Sequence, residues 1–214
     1  MINERLVDIR RRLGNQDVIL VGVVKYASLA DIQKAVDLGV LDLGFNYTKY
    51  AEEILPDLPN SVVPHFIGHL QSNKIKKAVE IFNLIQSVDS HKIAKKIDKE
   101  ARDQNREIDA LIQIKTDPKK HYGLQPDEIS AFIEECVHLK NIKIRGLMTI
   151  GPFLKNPEDM RPTFSLMKRM FEEIKQKDYK NIQMDYLSMG MSEDYEIAIT
   201  EGSNMIRIGS SIFS

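Results

Sequence analysis

A lysine, Lys25, stands directly after the apolar run Val18–Val24, VILVGVV. An ammonium at the end of a buried strand loses hydration, which lowers its pKa and releases a neutral amine. A neutral amine is the nucleophile that adds to a carbonyl and forms a Schiff base. Position alone leaves a plainer alternative open, a strand-end lysine whose stem packs while its head reaches water. A second residue out of place is Arg207, inside the apolar run MIRIG. An interior arginine is costly unless it is paired or aimed at a ligand, and an outward-facing charge is the alternative. Two short segments add a third feature, Ser188-Met189-Gly190-Met191-Ser192 and Ile208-Gly209-Ser210-Ser211. Each combines hydroxyls, small residues and backbone N–H groups, the donors that cradle phosphate. Either alone reads as a cap or a turn; the two together favour an anion site.

Other chemistries find less support. His65 and His69 flank Phe66-Ile67-Gly68, with no third ligand at metal-binding spacing. The single Cys136 excludes an internal disulfide, and within IEECVHL it reads as a buried, inert thiol. Lys74, Lys76 and Lys77 form a basic helix face, ordinarily solvated surface, and Glu193 and Asp194 read as first-turn helix charges. The formal net charge of −1 argues against a general nucleic-acid or membrane binder. No apolar run approaches the roughly 20 residues of a membrane span. The opening MINERLVDIRRRL lacks a signal-peptide core, so a cytoplasmic location is expected.

These residues need a scaffold, and strand and helix signals alternate along the whole chain. Strands are expected at Val18–Val24, Leu41–Gly44, His65–Gly68, Phe82–Val88, Ile108–Lys115, Ile142–Thr149, Ile182–Ser188 and Met205–Ile208. Helical spacing fills the gaps: Leu29–Leu38 capped by Ser28, Tyr47–Leu55, Asn73–Glu80, Ser90–Gln104, Pro126–Leu139, Pro162–Lys177 and Glu193–Thr200. Eight strands separated by helices predict an α/β chain, a single-domain TIM-type (β/α)8 barrel spanning residues 1–214. No helix is expected after the last strand. A helix over Asn3–Leu13, preceding the first strand, would cover that gap. An open doubly wound sheet is the alternative, but VVKYASLAD after the first strand is not a glycine-rich dinucleotide turn. In a barrel the strand ends carry the site, so Lys25, Asn46, His65, Met148, Ser188 and Arg207 would share one rim.

Four longer stretches carry a family resemblance: His65-Phe66-Ile67-Gly68-His69-Leu70-Gln71-Ser72-Asn73-Lys74, Arg145-Gly146-Leu147-Met148-Thr149-Ile150, Leu187-Ser188-Met189-Gly190-Met191-Ser192, and Arg207-Ile208-Gly209-Ser210-Ser211-Ile212-Phe213. Together with the position of Lys25 they resemble the pyridoxal 5′-phosphate homeostasis proteins, over nearly the whole chain. The resemblance implies the alanine-racemase-like barrel, the type III fold of enzymes that use this cofactor. It implies that Lys25 forms the internal aldimine with pyridoxal 5′-phosphate. Ser188, Gly209 and Ser210 would hold the phosphate, with Met189 and Gly190 in the same binding stretch. Arg207 would face the pyridine nitrogen, and Asn46, His65 and Met148 would line the ring. The chain departs from the usual family pattern at Val24, Ser28, Phe45 and Ser214.

An arginine beside the pyridine nitrogen disfavours its protonation, and an unprotonated ring is a poorer electron sink. Racemases of similar fold add a second base from another domain, which a chain of 214 residues is too short to include. The expectation is therefore a carrier in vitamin B6 homeostasis with no catalytic residues and no metal. Its partner is the small-molecule cofactor, and apo-enzymes that use it are the candidate acceptors. A monomer is implied. The competing reading is a racemase-like enzyme acting on amino acids.

Overall fold

The structure is a computed structural model that describes residues 1–177, 179 and 181–214. Eight parallel strands close into a barrel in chain order: β1 (Ile19–Val23), β2 (Asp42–Phe45), β3 (Val63–Phe66), β4 (Leu84–Val88), β5 (Ile108–Ile114), β6 (Ile142–Thr149), β7 (Ile182–Ser188) and β8 (Met205–Ile208). Around them run α1 (Ile2–Leu13), α2 (Leu29–Asp37), α3 (Thr48–Ile54), α4 (Ile75–Ile81), α5 (His91–Asp103), α6 (Ile129–Cys136), α7 (Arg161–Lys175), α8 (Tyr195–Thr200) and α9 (Ser210–Phe213). The continuous apolar strands follow from this arrangement. One row of side chains packs under the helices and the other fills the barrel, so both rows are buried.

Local chemistry starts and stops the helices much as expected. Ser28 Oγ accepts from the Asp31 N–H at the head of α2, and Ser90 Oγ from the Ile93 N–H at the head of α5. The expected helix at Pro126–Leu139 divides into a 3-10 turn, Pro126–Glu128, and α6. Another 3-10 turn, Pro157–Met160, leads into α7.

Two expectations need correction. The third strand is Val63–Phe66 rather than His65–Gly68. Pro64 lies inside it, and its carbonyl accepts from the Asn83 N–H on the β4 side. A parallel-strand residue presents N–H and C=O to the same neighbour, so the donor that proline lacks is missing only at the edge where pairing with β4 begins, His65 opposite Leu84. The last strand is also followed by a helix, α9. It has four residues, too few to carry a helical apolar period, and it is anchored by the buried Ile212. Helix α1 covers the remaining gap, as expected. Its Ile2, Leu6, Ile9 and Leu13 form one buried stripe, and Arg5 donates from Nη1 to the Ile212 carbonyl at 3.1 Å.

The barrel closes unevenly. β1 and β8 pair over four residues, but β7 and β8 meet at a single registered pair, Ser188 and Met205. Side chains stitch this seam. Asn204 accepts from the Leu187 N–H at 2.8 Å and donates to the Asp185 carbonyl at 2.6 Å, taking the place of a neighbouring backbone. Ser203 donates across the same junction, most closely to the Met189 carbonyl at 2.7 Å. Leaving a buried backbone group unpaired costs about 1–3 kcal/mol. Asn204→Ala is therefore expected to lower the unfolding free energy by about 2 kcal/mol in urea titration; an unchanged midpoint would show that the seam does not depend on that side chain.

Candidate functional site

The carboxyl ends of the strands gather most of the residues expected to act together. Ile19 and Val21 of β1 face the barrel interior, and Lys25 stands two residues past the strand end, in a turn. Asn46 follows β2 directly, and Val23 is registered with Gly44. Lys25 and Asn46 therefore each lie two residues beyond the registered pair Val23 and Gly44, on adjacent strands.

Lys25 corrects an expectation. Its side chain is exposed, with Nζ 4.7 Å from the ring centroid of Tyr26, which is itself 88% exposed. Interaction with the Tyr26 phenol holds its pKa above the ordinary lysine value, against a lesser lowering by burial. The strand end opens into water before the amine is reached, so the predicted desolvation does not develop. Asn46 is half-buried, and its Oδ1 is enclosed without a hydrogen-bond partner among the described residues. An enclosed acceptor left unpaired marks a place suited to a ligand donor.

Arg207 is the buried cation of the interior, with 3% exposure. It donates from Nη1 to Ser188 Oγ at 2.6 Å and from Nη2 to the Thr149 carbonyl at 2.6 Å. Burial pushes the guanidinium down to about 10, opposed by the attraction of Asp194, so it stays charged near neutral pH. Asp194 is buried too, and burial raises its carboxyl above the usual range. It accepts from the Met191 N–H at 2.7 Å and so orders the turn after β7. Reading it as a helix-end charge captured its local role and missed its proximity to Arg207.

His65 and Met148 are buried in the interior rather than set on the rim. Met148 packs with Val21, Leu84, Leu111 and Met205. His65 Nδ1 is hydrogen-bonded to Gln86 at 2.8 Å, and its Nε2 lies 3.0 Å from Asp42 Oδ1. Gln86, on the inward row of β4, was not singled out from sequence. The signal was a lone polar residue inside the apolar run FNLIQSV.

The expected anion segments divide. Ser188 is wholly buried, and its hydroxyl lies between Arg207 and Gln86, where no phosphate can reach it. Met189 faces outward into the core beneath the helices, because it falls on the opposite row from Ser188. Its N–H bonds the Met205 carbonyl, and its own carbonyl accepts from Ser203. Neither residue offers a free group to an anion. Gly190 turns the chain at φ +95°, and a Cβ there would come within 2.9 Å of the Tyr195 Cα. Its carbonyl accepts from the Arg207 N–H at 3.0 Å. Beyond it, Ser192, Gly209, Ser210 and Ser211 come together. Ser210 Oγ lies 3.0 Å from Ser192 Oγ, which also accepts from the Ser211 N–H at 3.3 Å. Ser192 is thus a member of the cluster beside the expected Gly209 and Ser210.

Cys136 is buried, and burial pushes its thiol up to about 12, as expected of an inert side chain. Among the described residues no group of His, Cys, Asp and Glu is arranged to hold a metal ion, and no helix is long and apolar enough to cross a membrane.

Comparison with known proteins agrees with this fold. The family model described as alanine racemase, N-terminal domain, matches residues 1–214. A pyridoxal phosphate homeostasis protein of Synechocystis is 39% identical over 199 residues, 92% of this chain and 90% of that protein. One from Aquifex aeolicus is 41% identical over 150 residues, 70% of this chain and 65% of that protein. PipY of Synechococcus elongatus, solved without and with PLP bound, superposes with TM-scores of 0.93 and 0.91 at 33% identity, with both chains fully covered. The chain belongs to the alanine racemase N-terminal domain family and, within it, to the pyridoxal phosphate homeostasis proteins.

Proposed function

We propose that this protein binds pyridoxal 5′-phosphate at the barrel mouth and acts as a carrier in its homeostasis, with little or no turnover. The observation that carries the reading is Arg207, a buried guanidinium held by Ser188 and the Thr149 carbonyl on the same barrel that sets Lys25 and Asn46 at its rim. The residues fit the cofactor at three kinds of contact. Lys25 supplies the amine for the aldehyde, and Arg207 supplies a donor for the ring nitrogen. Gly209, Ser210 and Ser192 supply small residues and hydroxyls for the phosphate. Asn46 offers its unpaired amide oxygen at the mouth, and Gly190 shapes the turn. Support also comes from the homeostasis proteins in the family and from PipY, solved with PLP bound.

When bound, the cofactor supplies an aldehyde that joins amines reversibly and a ring that can accept electrons. Arg207 bears on the second property. Its positive charge, were it to face the ring nitrogen, would disfavour protonation there and weaken the ring as an electron sink. Storage is thereby favoured over carbanion chemistry, and apo-enzymes that use the cofactor are the natural acceptors. We further propose a cytoplasmic monomer organised as one cofactor-binding domain over residues 1–214.

Incubation with pyridoxal phosphate followed by borohydride reduction is expected to add one cofactor mass, mapped by peptide sequencing to Lys25. Lys25→Ala should lose that addition while keeping weaker, phosphate-held binding; an addition at another lysine would overturn the assignment. Ser210→Asp places a carboxylate at the anion cluster. It is expected to weaken pyridoxal phosphate binding about tenfold, equivalent to ~1.4 kcal/mol, and to leave pyridoxal unaffected. Equal loss for both vitamers would remove the phosphate from that corner. Racemisation assays on common amino acids should give no turnover above buffer, and robust turnover would make the protein an enzyme.

A further inference from the structure

The barrel interior holds a chain of hydrogen bonds whose direction is fixed by the chemistry of one end. A guanidinium has N–H groups and no acceptor, so Arg207 must donate to Ser188 Oγ, 2.6 Å away. Ser188 has one proton, and it goes to Gln86 Oε1 at 2.7 Å. With its oxygen so placed, Gln86 turns its amide nitrogen to His65 Nδ1 at 2.8 Å and to Met205 Sδ at 3.2 Å. His65 Nδ1 then accepts, which places the imidazole proton on Nε2, 3.0 Å from Asp42 Oδ1. The three hydrogen bonds donate in the same sense, and the Nε2 proton lies beside Asp42. The chain runs from β8 through β7, β4 and β3 to a part-exposed carboxylate at the amino end of β2.

We propose that Gln86 is a positioning residue for Arg207: by taking the Ser188 proton, its amide keeps Ser188 Oγ an acceptor and so fixes where the guanidinium stands to meet a ligand atom. Gln86 is the link with two chemically different ends, and it is wholly buried. Reversing its amide would aim two donors, from Gln86 and Arg207, at Ser188 Oγ and strand the serine proton. It would also require a proton on His65 Nδ1, which either leaves a bare Nε2 beside the Asp42 carboxylate or places a charge on the buried ring. Both ends of the chain therefore oppose the reversed state. Polar groups on this strand are not satisfied automatically, since the neighbouring Ser87 Oγ is buried without a partner among the described residues. The ligand half of the inference rests on the function proposed above: the group facing Arg207 must be an acceptor, as an unprotonated ring nitrogen is.

The test compares wild type with Gln86→Glu and Gln86→Leu, all full-length. Long-range 1H–15N spectra of the histidine side chains are recorded on ligand-free protein, and pyridoxal phosphate is titrated separately. Wild-type His65 is expected to carry its proton on Nε2 alone. Gln86→Glu keeps an acceptor for Ser188 but presents a carboxylate oxygen to His65, so Nδ1 gains a proton while affinity stays within about threefold of wild type. Gln86→Leu removes the acceptor for Ser188, and affinity is expected to fall about tenfold. A wild-type His65 protonated on Nδ1 would overturn the relay, as would a folded Gln86→Leu protein with undiminished affinity. Should Gln86→Leu fail to fold, the Gln86→Glu protein decides: an unchanged His65 spectrum rejects the proposal, and a gained Nδ1 proton with retained affinity supports it. Absence of pyridoxal phosphate binding by wild type would defeat the proposed function and the ligand half together, whereas the ligand-free histidine spectra judge the relay independently.

Discussion

A positive charge sealed inside a parallel barrel is the constraint to which its surroundings answer. Arg207 cannot shed its proton cheaply, since even after burial its pKa stays near 10. It must instead be given acceptors. The fold supplies the Thr149 carbonyl from the end of β6 and the Ser188 hydroxyl from the end of β7. The buried Asp194, set just before α8, adds an opposite charge at longer range. Each acceptor then makes its own demand. Ser188 needs somewhere to send its proton, which brings in Gln86, and Gln86 needs an acceptor for its amide, which brings in His65. Arg207, Ser188, Gln86 and His65 thus form one connected arrangement beside an apolar plug of Val21, Leu84, Leu111, Met148 and Met205.

Much of the fold was legible because its signals are local. β6, β7 and β8 run over the residues expected: polar and apolar residues alternate at the start of β6 and β7, and β8 is an apolar run broken only by Arg207. The third strand lies earlier than expected because it takes in Pro64, whose carbonyl still pairs and whose missing donor lies where pairing only begins. The final helix escaped because four residues carry no period. The site divided along similar lines. Lys25, Asn46 and Arg207 stand out as polar residues against apolar runs, and the barrel brings their strands together. Ser188 and Met189 were misjudged because a segment pattern does not reveal which row of a strand faces inward. Parity put one hydroxyl beneath the mouth and the next side chain outside it. Gln86 passed unnoticed because an uncharged side chain in a strand becomes conspicuous only when its partners, more than a hundred residues away in the case of Ser188, are seen beside it.

The amine itself gives the clearest view of how such a site can work. A lysine activated by burial is neutral, nucleophilic and always ready. Lys25 is the reverse, an exposed ammonium whose pKa the tyrosine neighbour moves further above the ordinary lysine value. An ammonium is not a nucleophile, so on the proposed reading intrinsic reactivity cannot be what captures the aldehyde. Holding the ligand must do that work. A phosphate fixed at the Ser192–Ser210 corner and a ring fixed over Arg207 would raise the local concentration of aldehyde around the small neutral fraction of the amine. The same features ease departure, because an amine that readily regains its proton is a good leaving group. Slow capture with easy release suits a store of cofactor better than a catalyst. The irregular β7–β8 seam fits this division, since it ends pairing early and lets two loops curl toward one corner while Asn204 and Ser203 maintain closure below.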